Sequence, residues 1–320
     1  MRRRSRRLAA GLLAGMLVLA ACGGERKSAE ANRLSIATGN TTGVYYVLGG
    51  GLAKLINTHL AGYRATAEVT SASVENIQRV AGGGSQIAFT LADAATDAVR
   101  GVGPFGTPQP IRALARIYSN YTHVIVRTDA GVSSLADLRG RTVSTGSPGS
   151  GTEVIALRLL RAAGLDPDRD VRRQRLALPE TTQGVADGTI QALVWSGGLP
   201  TAGIKDLFAS AKGKVRFLDI SPYLSRMRSQ YTPLYAAGTI ARSVYGTGAD
   251  VPTIAVPTLL VVRDTMSSDL AYKLTKLLFD YRSELAAVHK EASNINLTTA
   301  QQTGDVLLHD GAKRYYAEQR

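Results

Sequence analysis

Of the 320 residues only one is a cysteine, Cys22, and only four are histidines. Beyond Cys22 the chain holds no thiol, which excludes disulfides, cysteine nucleophiles and thiolate metal sites from its body. His59, His123, His289 and His309 stand too far apart in sequence for metal-ligand spacing. Aromatic residues make up 6% and nowhere alternate with basic ones, so nucleic acid is not an expected partner. No apolar run reaches the ~20 residues that a membrane-spanning helix needs. No short internal period recurs, so a solenoid is excluded too.

What is present is ordinary for a globular α/β chain: 44% apolar and 20% charged residues, in a length that suffices for two medium domains. The net charge of +13 overstates the basicity of that body. Arg2, Arg3, Arg4, Arg6 and Arg7 fall within residues 1–21, and without them the surplus is +8. That surplus suits acidic small molecules or an anionic surface nearby. The same five arginines precede an apolar run at residues 8–21, the pattern of an export signal. Leu19-Ala20-Ala21-Cys22 resembles a bacterial lipobox, in which Cys22 receives a lipid and becomes the mature N-terminus. Residues 1–21 are thus expected to be a lipoprotein signal peptide. Residues 22–32, small and polar, are expected to tether an extracytoplasmic domain to the membrane. Ser5-Arg6-Arg7 resembles a twin-arginine signal, yet Ala9-Ala10 replace its bulky pair, and the export route stays open.

From Leu34 onward β-like runs alternate with helical patterns. Strands are expected at residues 34–38, 65–70 and 87–90, and helices at 44–59, 74–81 (with Ser73 as cap) and 92–100. After a Gly/Pro-rich loop at 101–110, two strands are expected at 112–118 and 123–127. The plan then repeats: a strand at 141–145, Ser150 and Glu153 at capping-box spacing, and a helix at 154–163 closed by Gly164. Residues 185–195 align without gaps on residues 80–90 at an offset of 105, against 107 for Thr38-Gly39 and Thr145-Gly146. Paired lobes of like topology follow, each a mostly parallel sheet flanked by helices. A β-like run at 254–263 and a long helical pattern at 267–289 complete the chain. Residues 33–122 with 256–320 are expected to form one lobe, and 123–255 the other. The chain would cross between them twice, and ligand would sit in the crevice.

Two loops carry the chemistry. Val143-Ser144-Thr145-Gly146-Ser147-Pro148-Gly149-Ser150-Gly151-Thr152-Glu153 is a β-like run, a Gly/Ser loop and a helix start. Ile36-Ala37-Thr38-Gly39-Asn40-Thr41-Thr42-Gly43 repeats that grammar. Each loop leaves backbone N–H groups unpaired at a positive helix end, which makes an anion site. Gly146 and Gly151 have P-loop separation, but Thr152 stands where the lysine belongs, so a nucleotide triphosphate loses its charged partner. Gly101-Val102-Gly103-Pro104-Phe105-Gly106 matches a dinucleotide fingerprint in letters alone, since no helix opens there. A serine-hydrolase elbow is absent. Glu153 reads as a cap. Asn76 is as well placed to face solvent as a cleft, and Tyr45, Tyr46 and Trp195 suit a core as well as a ligand.

Together these residues resemble the solute-binding proteins of TRAP transporters, specifically the TAXI family. The resemblance rests on Thr38-Gly39-Asn40-Thr41-Thr42-Gly43-Val44-Tyr45-Tyr46, Ser73-Val74-Glu75-Asn76, Ser147-Pro148-Gly149-Ser150-Gly151-Thr152-Glu153 and Asp187-Gly188-Thr189-Ile190-Gln191-Ala192. Gly197-Gly198-Leu199-Pro200, the run at 253–262 and Gly311-Ala312-Lys313-Arg314-Tyr315-Tyr316-Ala317-Glu318 continue it. Asp310 and Trp195 depart from the family's usual residues. The resemblance implies a two-lobed, type II-like periplasmic-binding fold without cofactor or catalysis. It implies capture of a dicarboxylate or glutamate-like amino acid and delivery to a TRAP membrane permease. The expected ligand contacts are Thr41, Gly43, Tyr45, Asn76 and Thr90 from one lobe, and Ser147, Gly149, Ser150, Gly151, Thr152 and Gly197 from the other. The competing readings are a secreted two-lobed hydrolase or transferase, which needs a nucleophile with a nearby base, and a structural surface lipoprotein without ligand.

Overall fold

The computed structural model describes residues 33–319. The signal segment, Cys22 and the tether lie outside the described residues. In the first part, β1 (Arg33–Ala37) leads through a Gly turn into α1 (Val44–His59), β2 (Arg64–Glu68) into α2 (Ser73–Ala81), and β3 (Ile87–Leu91) directly into α3 (Ala92–Arg100). β1 runs parallel to β2 on one side and β3 on the other. β4 (Ile111–Arg127) then carries the chain into a second set: β5 (Thr142–Ser144), α4 (Gly151–Ala162), β6 (Arg172–Gln174), α5 (Leu178–Asp187), β7 (Ala192–Gly197) and α6 (Ala202–Ser210). Here β5 is parallel to both β6 and β7. β8 (Val215–Phe217) and β9 (Ala236–Ile240) follow, and β10 (Val251–Arg263) brings the chain back. The fold is a two-lobed α/β architecture of the type II periplasmic-binding kind.

One sheet threads both lobes, in the order β2-β1-β3-β10-β4-β7-β5-β6. β4 and β10 pair antiparallel along most of their length. β10 meets β3 through residues 258–262 but β9 through 251–255. β4 meets β7 through residues 121–126. The changeover from one lobe to the other therefore falls near Tyr121 on β4 and near Val256 on β10. The tail belongs with the first half: α7 (Ser268–Asp280) and α8 (Asp310–Ala317) pack together, and the Tyr316 hydroxyl donates to the Leu114 carbonyl at 2.9 Å.

Four expectations need correction. The two strands expected at 112–118 and 123–127 are one 17-residue strand. The polar residues between them, which read as a break, pair instead with Val256 and Ala255 on one side and Gly197 and Ser196 on the other. The sheet is mixed rather than mostly parallel, because both crossing strands run against their neighbours. Ser73 does not cap α2; Ala72 holds that position, and the Ser73 hydroxyl accepts from the Leu91 N–H at 3.1 Å. The long C-terminal helix stops at Asp280, where Tyr281 leaves the helix and stacks on His59 with ring centroids 3.7 Å apart.

Polar contacts help to join the lobes. On α4, Arg158 reaches α3, its guanidinium bonding Asp93 at 3.1 Å and Asp97 at 2.5 Å. The Tyr235 hydroxyl accepts from Arg158 and donates to Asp93 at 2.6 Å. All four side chains are buried. Burial pushes the Asp97 carboxyl up, against the pull of Arg158. Breaking a buried pair on one side strands the opposite charge. Arg158→Met is expected to lower the unfolding free energy by roughly 3–5 kcal/mol in urea titration. A loss below about 1 kcal/mol would mean that the pairing carries little.

At the crossing, His123 is fully buried, with Nδ1 2.8 Å from the Tyr121 carbonyl and Nε2 2.9 Å from the Tyr245 hydroxyl. Desolvation lowers its pKa from 6.5 to about 4. The unfolded chain therefore binds a proton that the folded chain refuses between these values. Stability is full above pH 6.5 and is lost as the pH falls toward 4, by roughly 3 kcal/mol in total. His123→Gln, which keeps an acceptor for Tyr245, is expected to flatten that part of the stability–pH curve. An unchanged slope, or a histidine NMR titration with a midpoint near 6.5, contradicts this account.

Candidate ligand-binding cleft

The two Gly loops end at the same place. A cavity of about 200 Å³ lies between the lobes, at the N-terminal ends of α1 and α4 and beside the β4 crossing. It is smaller than the roughly 300–1,000 Å³ of sites that take drug-sized molecules. On the α4 side the Ser150 hydroxyl accepts from the Glu153 N–H at 3.0 Å, and the Glu153 carboxylate accepts from the Gly149 N–H at 3.0 Å. Arg175 clamps that carboxylate at 2.5 Å. With the cap spent on Glu153 and Gly149, the N–H groups of Gly151 and Thr152 have no partner among the described residues. On the α1 side Asn40 closes the turn through the Thr42 N–H and hydroxyl. The N–H groups of Val44 and Tyr45 are likewise unpaired.

Of the residues expected at the site, Gly43, Tyr45, Ser147, Ser150, Gly151, Thr152 and Gly197 line the cavity. The other four do not. Thr41 is exposed on the outer side of its loop. Asn76 is wholly buried, its amide donating to the Thr38 and Phe89 carbonyls at 2.7 and 2.8 Å, so it ties α2 to the sheet. Thr90 bonds the Leu91 carbonyl within β3. The Gly149 carbonyl accepts from both Val74 and Glu75 at the start of α2, and so joins the lobes beside the cavity.

Among the lining residues not expected as ligand contacts are Tyr118, Asn120 and Ser196. They are 3%, 1% and 8% exposed, yet the Tyr118 hydroxyl, Asn120 Oδ1 and Ser196 Oγ have no hydrogen-bond partner among the described residues. Buried polar groups are nearly always paired, so three bare ones around one cavity stand out. Asn120 is held from its other end, its amide donating to the Tyr45 and Thr258 hydroxyls at 3.0 and 2.9 Å. Burial pushes the Tyr45 phenol well above its usual range, so it stays neutral. The sequence signal was available: Asn120 and Thr122 interrupt an apolar strand at the point where the chain changes lobes.

Trp195 lies on the lobe 2 wall, its indole N–H donating to Thr201 at 3.1 Å. The ring reaches across to Gly43, where a Cβ would stand 3.6 Å from it. Ala72 forms part of the opposite wall with φ 85°, a backbone region that glycine favours. Such strain persists only where its surroundings hold it, and it clusters at ligand sites. None of the lining residues carries a charge. No group of three or more His, Cys, Asp or Glu among the described residues has metal-binding geometry.

Solved structures share this architecture. A binding-protein component of an ABC phosphonate transporter from Pseudomonas aeruginosa superposes with a TM-score of 0.55 at 15% identity, over 81% of this chain and 78% of that one. A Xanthomonas citri protein bound to ATP gives 0.52 at 15% identity, over 90% and 95%. A putative L-cystine ABC transporter from Listeria monocytogenes gives 0.51 at 12% identity, over 81% and 95%. At these identities the likeness is one of fold. The model of the NMT1-like family matches residues 36–319, which takes in both lobes, the crossing strands and the tail; the chain belongs to the NMT1-like family.

Proposed function

We propose that this protein captures a small organic anion between its lobes and hands it to a membrane permease of the TRAP type, as a lipoprotein held at the outer face of the membrane through Cys22. The observation that carries the reading is the cavity itself. Two helix N-termini with unpaired N–H groups meet there, and three buried polar atoms in its wall lack partners. A purely structural protein has no reason to leave those groups bare, since each costs about 1–3 kcal/mol. A hydrolase needs a nucleophile beside a base, and the wall offers hydroxyls without a histidine or carboxylate. The dicarboxylates and glutamate-like amino acids implied by the resemblance to the TAXI family share one feature with simpler acids. That feature is the carboxylate, which the helix ends fit. The likeness to TAXI proteins and the lipobox support the permease and the anchor.

Capture by closure predicts that anything wedging the lobes apart lowers affinity. At Gly151 an added Cβ would meet Ser73 Oγ of the opposite lobe at 2.5 Å and Leu91 Cδ1 at 2.7 Å. Gly151→Ala is therefore expected to weaken ligand binding about tenfold or more, a cost of 1–3 kcal/mol for overpacking, while leaving the far-ultraviolet circular dichroism unchanged. Thermal shift against a panel of small organic acids finds the ligand, calorimetry measures the variant, and an assay for turnover separates binding from catalysis. Wild-type affinity in Gly151→Ala would show that this junction takes no part in closure; turnover of the ligand would return the hydrolase reading.

A further inference from the structure

We infer that the cleft selects ligands with a single anionic group: small monocarboxylates that carry a hydroxyl or ammonium donor at the other end, with dicarboxylates rejected. This inference rests on the ligand-capture reading and narrows it.

The first ground is charge. Among the described residues the wall contains no cationic side chain, so there an anion is met only by helix ends, each equivalent to roughly half a positive charge. Two ends together balance about one negative charge, whereas a dicarboxylate brings two.

The second ground is that the two ends are not equivalent. A Cβ on Gly198 would stand 2.9 Å from Tyr118, 3.0 Å from Glu291 and 3.1 Å from Val44, so these three side chains gather around one point at the start of α1. Glu291 is 5% exposed. Its carboxylate accepts from the Leu199 N–H and the Asn294 amide, both at 2.7 Å. It forms no salt bridge among the described residues. A buried carboxylate thus already lies close to the α1 end, with its oxygens held by Leu199 and Asn294. The α4 end, at Gly151 and Thr152, remains as the seat for the ligand's carboxylate.

The third ground is the unpaired atoms. Asn120 Oδ1 can only accept a hydrogen bond, and the Tyr118 and Ser196 hydroxyls can donate or accept. Tyr118 and Asn120 lie on β4, on the Glu291 side. A hydroxyl or ammonium group placed there satisfies Asn120 and suits the nearby carboxylate. A second ligand carboxylate would be buried against an acceptor and a like charge.

The test is calorimetry on the purified protein with matched pairs that differ in the group at the far end: 4-hydroxybutyrate against succinate, 4-aminobutyrate against succinate, 3-hydroxypropionate against malonate. The monocarboxylate of at least one pair is expected to bind about a hundredfold tighter than its partner, the size of an uncompensated buried charge. Tyr118→Phe supplies the second readout. Because the hydroxyl has no partner, its removal should leave the ligand-free melting temperature unchanged or higher, while affinity for the bound monocarboxylate falls about fivefold to tenfold. A merely structural tyrosine would not separate the two effects. Dicarboxylates that bind as tightly as their partners, or Tyr118→Phe with wild-type affinity, overturn this inference and leave ligand capture standing. Failure of every acid in both classes to bind overturns both.

Discussion

The antiparallel pairing of β4 with β10 is the constraint on which the rest of the molecule depends. Without it there are two small α/β units, each with its own parallel strands and each with a Gly loop before a helix. With it, the C-terminal ends of those strands face one another across a crevice, and both helix starts open into the same space. The pairing also brings the middle of β4 to the floor of that space, which is why Tyr118 and Asn120 reach the cavity. Residues 119–121 pair with 257–255, so the floor keeps its ladder bonds while its side chains remain unsatisfied. A polar residue in a loop could rotate to find water. In the centre of a paired strand it is held in place by the backbone, and its unused bonding capacity is preserved.

Much of this was legible in the sequence, for a definite reason. The helix at 44–59, the strand–helix at 87–100 and the Ser150–Glu153 cap are local features, written in periodicity and capping chemistry, and they stand where expected. What was not legible depends on contacts distant in sequence. The break expected between 118 and 123 disappears because β7 and β10 supply partners from both sides. The continuous helix expected at 267–289 breaks at Tyr281, whose ring stacks on His59 from a distant part of the chain. The candidate site divides along the same line. Glycines and hydroxyls in the two loops could be named from the loop grammar, and seven of the eleven named residues line the cavity. Asn76 could not be resolved, because its role as a buried brace depends on carbonyls of Thr38 and Phe89. Tyr118, Asn120 and Ser196 were passed over because a bare polar atom is visible only once every other group has found its partner.

The absence of charge in the wall sits oddly beside a chain with so many surplus arginines, until the positions of the charges are considered. Arg158 is consumed by Asp93 and Asp97, and Arg175 and Arg173 by Glu153. These cations are thus spent on joining lobes and fixing the α4 cap. They act on the site indirectly, by holding N–H groups in position rather than by touching a ligand. Neutral donors fixed in place lose little freedom when a ligand arrives, whereas a long cationic side chain must be ordered first. A site of this construction gains in geometric discrimination what it gives up in raw attraction.

The contacts that close the crevice also bear on release. Across its edges several are polar: the Gly149 carbonyl on the start of α2, Arg158 on two aspartates, and the Glu291 carboxylate on the Leu199 N–H. Polar groups regain water when they separate, so parting them costs far less than exposing an equal apolar area, for which water offers no replacement bonds. An interface of this kind is poorly suited to permanent adhesion between lobes. It is well suited to an equilibrium that a few hydrogen bonds from a ligand can shift, because a ligand moves a two-state balance only by its difference in affinity for the two states. In this chain that difference would come from the unpaired groups in the cavity wall, which are drawn from both lobes and from the strand between them. On the proposed reading, closing on a ligand and the cost of leaving those groups bare are one property of the same atoms.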